Sequence, residues 1–103
     1  MIKNFLFFVL ISSSLLIAEV IIDVRTPEEF QSARLNKAIN IEWQNILSIQ
    51  SNINKTEKIY LYCRSGNRSQ KATEILVDAG YLDVENLGGL RQASETLKLK
   101  IIK

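Results

Sequence analysis

The sequence lacks several residue types that common functions require. Its 103 residues include no histidine, one cysteine and one proline. Without histidine, Cys–His protease chemistry and the usual zinc centres are excluded. A single cysteine cannot form an internal disulfide, so the stability of the fold must come from packing. The net charge of +2 leaves no basic excess of the kind that nucleic-acid-binding domains carry, so we expect no metal and no nucleic-acid partner.

The N-terminal segment differs in composition from the rest of the chain. Lys3 is followed by an uncharged, largely apolar run that ends at Ala18. A positive start, an apolar centre and a small final residue are typical of a secretory signal peptide. The run is short for a membrane span of about 20 apolar residues, although a retained N-terminal anchor is the alternative. We therefore expect residues 1–18 to be a signal peptide and residues 19–103 to be one periplasmic domain, with no stable membrane insertion after cleavage.

Beyond the signal segment, short β-branched runs alternate with stretches of helical periodicity. This alternation predicts an α/β fold with a small open parallel sheet flanked by helices on both faces. Strands are predicted at 20–24, 38–41, 58–62 and 83–86. Helices are predicted from Pro27 to about Arg34, from Trp43 to Gln50, from the end of the 64–67 loop to a stop at Gly80, and from Leu90 to Leu97. The basic and apolar tail after Leu97 is predicted to be a solvated edge, and contact with an anionic membrane is the alternative.

The only cysteine, Cys63, follows the most apolar predicted strand directly. At the carboxyl end of a parallel strand, ligands meet the unpaired N–H groups of the next helix. A thiolate there is favoured by the helix dipole, by loop amides and by the guanidinium groups of Arg64 and Arg68. A lone cysteine is often inert packing, but the polar loop that follows favours a reactive one. The residues predicted to surround the sulfur or an anion are Arg64, Ser65, Gly66, Asn67, Arg68 and Ser69.

Other polar residues at the same sheet edge have plainer interpretations. Asp23 and Arg25 flank the end of the first strand, where Asp23 either orders the loop or a neighbouring arginine, or forms an ordinary strand-end ion pair. Glu29 is three residues after Thr26, the spacing of a helix capping box, so it is assigned to capping rather than to acid–base chemistry. Gly88 and Gly89 carry no phosphate-loop pattern and indicate close backbone packing.

The segment from Cys63 to Ser69 resembles the active-site loop of the rhodanese family, in which a cysteine comes first and an arginine sixth. Only four residues separate Cys63 from Arg68, whereas tyrosine-phosphatase-like loops have five. Three further stretches are similar to the family: 22–30, 38–41 and 86–90. One departure is Lys37, where the family has a glycine. Either Asn36 adopts the positive φ in its place or the turn differs.

The resemblance implies a sulfurtransferase that needs no cofactor. Cys63 would take sulfane sulfur from thiosulfate as a persulfide, release sulfite and pass the sulfur to cyanide or a thiol. The loop amides and Arg68 would hold the persulfide and the departing anion, with Arg64 assisting at the rim. The expected partners are this small sulfur-containing anion and its acceptor, and the expected state is a monomer. A noncatalytic persulfide carrier that serves a partner protein is the alternative, and an inert docking domain is a third possibility.

Overall fold

The computed structural model describes residues 19–103, so the predicted signal peptide lies outside the described residues. Among those residues, no helix is both long and apolar enough to cross a bilayer. The strands are β1 (Glu19–Asp23), β2 (Arg34–Leu35), β3 (Ile39–Asn40), β4 (Lys58–Cys63), β5 (Val84–Gly89) and β6 (Ile101–Ile102). The helices are α1 (Pro27–Ser32), α2 (Asn67–Asp78) and α3 (Leu90–Leu97), and a 3₁₀ helix spans Trp43–Ser51.

Four strands form one parallel sheet in the order β3–β1–β4–β5. Side chains alternate across it: Ile22 and Leu61 pack in one core with α2, while Ile21 and Tyr62 pack in a second core with α3. Burying each such aliphatic side chain contributes about 1.5–3 kcal/mol, so the sheet is stabilised from both faces. The predicted α/β architecture is confirmed.

Helix α1 begins as the sequence predicts but ends earlier. The Thr26 hydroxyl accepts from the Glu29 N–H, and the Glu29 carboxylate accepts from the Thr26 N–H, which completes a capping box. The helix stops at Ser32 rather than near Arg34, because Ala33 turns to an extended conformation with φ −166°. Arg34 is therefore free to start β2.

The C-terminal tail is more ordered than the sequence predicts. Its lysines are exposed, as in a solvated edge, but Ile101 and Ile102 form β6 and pair antiparallel with β2. Lys98 ends α3 in the left-handed region, with φ 57°, which lets the chain reverse. Leu97 and Leu99 pack beside the second core. The tail therefore closes the domain edge next to β2.

The predicted short helix at Trp43 is a 3₁₀ helix with a kink at Asn45. Its buried residues, Ile46 and Ile49, are three positions apart, and side chains at this spacing align in a 3₁₀ helix. Leu47, which an α-helical spacing of four residues from Trp43 would place inward, is 44% exposed. The tighter winding explains that difference.

The turn before β3 resolves the departure at position 37. Lys37 itself adopts the positive φ, at 76°, so the expectation that Asn36 takes it over or that the turn differs was wrong. The neighbouring Asn36 donates its N–H to the Lys100 carbonyl across the β2–β6 pair. The turn therefore keeps the glycine-like conformation with a lysine in it, at a conformational cost.

Candidate active site

Cys63 is the last residue of β4 and is 1% exposed. The loop after it is short, because Asn67 already begins α2. Gly66 caps α2 with φ 105° and contributes no side chain, and its N–H donates to Cys63 Sγ at 2.9 Å. The sulfur thus accepts from the N–H of the N-cap residue, as the N3 side chain does in a capping box.

The Ser69 hydroxyl lies in the first turn of α2, 3.4 Å from Cys63 Sγ. Burial raises the pKa of the Cys63 thiol, but this hydroxyl and the backbone N–H groups of Ser69, Gly66 and Ser65 lower it by more. The net result is a pKa below the ordinary value of 9.0. A larger fraction of the sulfur is therefore thiolate near neutral pH.

Arg68 forms an ion pair with Glu29, whose carboxylate lies at the start of α1. Its Nη1 and Nη2 donate to Glu29 Oε1 and Oε2 at 2.7 and 3.0 Å, and both side chains are less than one third exposed. Through the Arg68 hydrogen bonds above all, the pKa of Glu29 falls from 4.5 to about 2. Glu29 therefore links the capping box to the cysteine loop, a role that the sequence reasoning missed. The predicted role of Arg68 as the residue that holds an anion stays a prediction.

Asp23 and Arg25 form a buried ion pair at the end of β1. The carboxylate of Asp23 accepts from Arg25 Nε at 3.0 Å and from Nη2 at 2.7 Å, and the residues are 0% and 6% exposed. Arg25 Nη2 also donates to the Ala33 carbonyl. Of the predicted roles, the geometry therefore favours the strand-end ion pair, in which Asp23 orders the neighbouring Arg25. The pair fixes the chain between β1 and β2.

Tyr62 precedes the cysteine but faces away from it. Cys63 packs in the core that contains α2, and Tyr62 packs in the opposite core. Its hydroxyl accepts from the Leu35 N–H at 3.0 Å. Tyr62 is fully buried, and through this hydrogen bond it supports β2.

The remaining loop residues differ in exposure. The side chains of Arg64, Ser65 and Asn67 are exposed around the buried sulfur. The Arg64 carbonyl lies so close to Gly89 that a Cβ there would be 2.5 Å from its oxygen. Gly66 likewise packs against Gly88. The predicted close backbone packing at the two glycines is confirmed, and it sets the loop directly on β5.

Asn86 belongs to the site although the sequence reasoning assigned it no role. Asn86 pairs with Leu61 and Gly89 with Cys63, so β5 carries one extra residue opposite β4. Such a bulge redirects side chains, and Asn86 Oδ1 lies 2.7 Å from Ser69 Oγ. A polar residue beside Leu87, in a strand adjacent to β4, is the signal that could have identified it.

The site is therefore a buried thiol with a lowered pKa, surrounded by the exposed side chains of Arg64, Ser65 and Asn67. Among residues 19–103, no cluster of three or more histidine, cysteine, aspartate or glutamate side chains could hold a metal ion. The donors that converge on the sulfur stabilise negative charge there. Chemically, the arrangement suits a thiolate that attacks a soft electrophilic atom and then carries the transferred atom.

Comparison with known proteins gives one consistent similarity. The family model for the rhodanese-like domain matches residues 12–95. Thiosulfate sulfurtransferase PspE of Escherichia coli is 41% identical over 76 residues, which cover 72% of this chain and 73% of that protein. A solved structure described as rhodanese with anions from E. coli has a TM-score of 0.73 at 35% identity, and the match covers 84% of this chain and 99% of that one.

A second group of relatives is much longer. The adenylyltransferase and sulfurtransferase UBA4 of Lodderomyces elongisporus is 36% identical over 88 residues, which cover 75% of this chain. Those residues are only 19% of the fungal protein. The chain thus corresponds to about one fifth of the length of this relative.

Proposed function

The chain belongs to the family of rhodanese-like domains, and within this sulfurtransferase family we propose that it is a thiosulfate sulfurtransferase. Cys63 is the proposed nucleophile and persulfide carrier. The observation that carries the proposal is the sulfur itself, which accepts from the Gly66 N–H at 2.9 Å and has a lowered pKa. The 41% identity to a thiosulfate sulfurtransferase supports thiosulfate as the donor.

The proposed reaction needs only the thiolate and the groups around it. The Cys63 thiolate attacks the outer sulfur of thiosulfate, the S–S bond of thiosulfate breaks, and its electron pair leaves on sulfite. The terminal sulfur of the new persulfide carries the negative charge. A thiol or cyanide then attacks that sulfur and regenerates the thiolate. No general base is required in these steps, because the nucleophile reacts as the thiolate and the leaving group is an anion.

The proposed binding groups are the backbone amides of the loop together with the exposed side chains at its rim. Arg64 is the one loop arginine outside the Glu29 pair, and among residues 19–103 it makes no ion pair. It is therefore well suited to attract a dianion from solvent. The solved relative from E. coli is described with anions, in keeping with an anionic substrate. Arg68 would contribute through the position of the loop and through its positive charge.

A persulfide carrier that delivers sulfur to a partner protein is the second candidate. It is favoured by the relatives whose name joins sulfurtransferase to adenylyltransferase, because in them the similar segment is a small part of a longer protein. Both candidates require sulfur on Cys63, so they differ only in the acceptor.

Mass spectrometry and turnover assays test the proposal together. Thiosulfate should add one sulfur, about 32 Da, to Cys63 and release sulfite, and cyanide should remove the sulfur repeatedly. Cys63→Ser should abolish both steps while leaving the circular dichroism spectrum unchanged. Sulfite release that persists in Cys63→Ser would refute the assignment, and adduct formation without turnover on cyanide or small thiols would favour the carrier.

The two arginines of the loop provide a matched comparison. Arg68→Ala should lower the rate of sulfite release more than Arg64→Ala, because it also frees Glu29 and loosens the loop. The reverse order would contradict the proposed role of Arg68.

We also propose that the domain acts in the periplasm after cleavage behind Ala18. The support is the composition of residues 1–18, with a positive start and an apolar centre. Intact-mass measurement on protein purified from its host would report cleavage and sulfur loading together. A mass that includes residues 1–18 would instead indicate a retained anchor.

A further inference from the structure

Asn86 contacts both residues that donate a hydrogen bond to the Cys63 sulfur, Gly66 and Ser69. Its Oδ1 lies 2.7 Å from Ser69 Oγ and accepts from the Gly88 N–H at 2.9 Å. Its Nδ2 donates to the Gly66 carbonyl at 3.2 Å. Because the Gly88 N–H can only donate and the Gly66 carbonyl can only accept, the orientation of the Asn86 amide is fixed.

The Ser69 hydroxyl has one proton and three acceptors within reach. These are Asn86 Oδ1 at 2.7 Å, the Gly66 carbonyl at 3.2 Å and Cys63 Sγ at 3.4 Å. Only one of them can receive the proton fully at a time. A charged acceptor forms the stronger hydrogen bond, so a thiolate draws the hydroxyl toward sulfur. When Sγ is uncharged, the shorter contact with Asn86 takes over.

We propose that Asn86 is a positioning residue for sulfur transfer, which holds the Gly66 carbonyl and accepts the Ser69 hydroxyl whenever the Cys63 sulfur is uncharged. The inference deepens the proposed function and rests on it in one respect, because the charge leaves Sγ when the persulfide forms. At that step the new S–S bond makes Sγ neutral and the charge moves to the terminal sulfur. The Ser69 hydroxyl then returns to Asn86, and it moves back when the thiolate is regenerated.

Neutral hydrogen-bond donors, rather than charged side chains, contact the Cys63 sulfur. Arg68 is paired with Glu29, and Arg25 is paired with Asp23. Arg64 is exposed to solvent, where its field is screened. The groups in direct contact with the sulfur are therefore the Gly66 N–H and the Ser69 hydroxyl, and Asn86 holds both of these residues.

Asn86→Asp tests the proposal because it changes the chemistry of the side chain but hardly its shape. The carboxylate still accepts from Gly88, but it binds the Ser69 proton more firmly and repels the Gly66 carbonyl. The rate of iodoacetamide alkylation against pH gives the pKa of Cys63 directly, because the chain has one cysteine. We expect the midpoint to rise by about one pH unit, which is about a tenfold loss of thiolate below the midpoint.

Two further variants separate positioning from the mere addition of charge. Gln70→Glu adds a carboxylate beside Asn86, whose Nδ2 donates to Gln70 Oε1 at 3.1 Å, and the side chain of Gln70 is not a hydrogen-bond partner of the Ser69 hydroxyl. It should shift the midpoint by less than half as much as Asn86→Asp. In a Ser69→Ala background, Asn86→Asp should lose at least half of its effect. Equal shifts for the two carboxylate variants, or an undiminished shift without the hydroxyl, would overturn the proposal.

A measurement on the unmodified protein covers the case in which Asn86→Asp does not fold. The side-chain amide resonances of Asn86 should titrate with the same midpoint as Cys63, and this response should vanish in Ser69→Ala. Amide resonances that do not change when Cys63 ionises would refute the proposed role of Asn86. Neither measurement uses thiosulfate, so a failed sulfurtransferase assay with a positive result here would count against the proposed function alone.

Discussion

Glu29→Gln should remove the ion pair that joins α1 to the cysteine loop while keeping the helix cap. Glutamine still offers a side-chain oxygen to the Thr26 N–H, because a capping box accepts Glu or Gln at this position. It loses the charge that Arg68 contacts through two hydrogen bonds. The substitution therefore isolates one electrostatic link between two distant parts of the chain.

The size of the effect follows from the lowered pKa of Glu29. A fall from 4.5 to about 2 corresponds to a ceiling of roughly 3 kcal/mol at about 1.4 kcal/mol for each pKa unit. The side chains of Arg68 and Glu29 are 30% and 27% exposed, so water and salt screen part of this energy. Part of the fall also comes from Thr26, which the variant retains. We expect Glu29→Gln to lose about 1–2 kcal/mol of unfolding free energy at pH 7.

The sign of the pH dependence provides the sharper test. Because the pKa of Glu29 is lower in the folded state, its contribution is complete above about pH 5 and is lost as the pH falls toward 2. Urea unfolding between pH 7 and 2 should show the wild type approaching Glu29→Gln in stability at the acidic end. The exposed neighbour Glu28→Gln is the control and should leave the pH profile unchanged. A constant difference between wild type and Glu29→Gln across this range would refute the reasoning.

Three further substitutions test other parts of the structure. Lys37→Gly should raise the unfolding free energy by about 0.5–1 kcal/mol, because φ is 76° there, and a rise in melting temperature would show it. Tyr62→Phe should cost about 1–3 kcal/mol in urea unfolding, since it leaves the buried Leu35 N–H without its acceptor. Gly89→Ala should slow alkylation of Cys63, because its methyl group would displace the Arg64 carbonyl and with it the loop; an unchanged rate would contradict this.

The main sheet was predictable because its signals are local. Strand β4 is buried on both faces and reads as a continuous apolar run, and Thr26 and Glu29 mark the start of α1 within four residues. Strands β2 and β6 have two residues each, too few to show a period. They exist because Lys98 reverses the chain and brings the tail against Leu35. Nothing in the sequence near Arg34 specifies that partner.

The candidate site likewise combines contacts that the local sequence predicts with contacts that it does not. Gly66 and Ser69 lie within six residues of Cys63, so a strand followed by a helix was enough to place them around the sulfur. The Glu29–Arg68 pair spans 39 residues, and the Ser69–Asn86 contact spans 17. The second contact also depends on the extra residue in β5, which shifts the register by one. Such contacts follow from the way α1 and β5 pack on α2, which no local pattern encodes.

The paired charges explain which groups stabilise the thiolate. From the sequence, two guanidinium groups and several amides were expected to act on the sulfur together, but Arg68 is held by Glu29 and Arg64 is exposed. The hydrogen bonds to Cys63 Sγ come from the loop amide of Gly66 and the hydroxyl of Ser69. Buried neutral donors are less sensitive to salt than exposed charges, and they need no reorganisation when a charge forms beside them. An arginine free to collapse onto the thiolate would compete with an incoming anion, and the pairing of Arg68 with Glu29 prevents this competition.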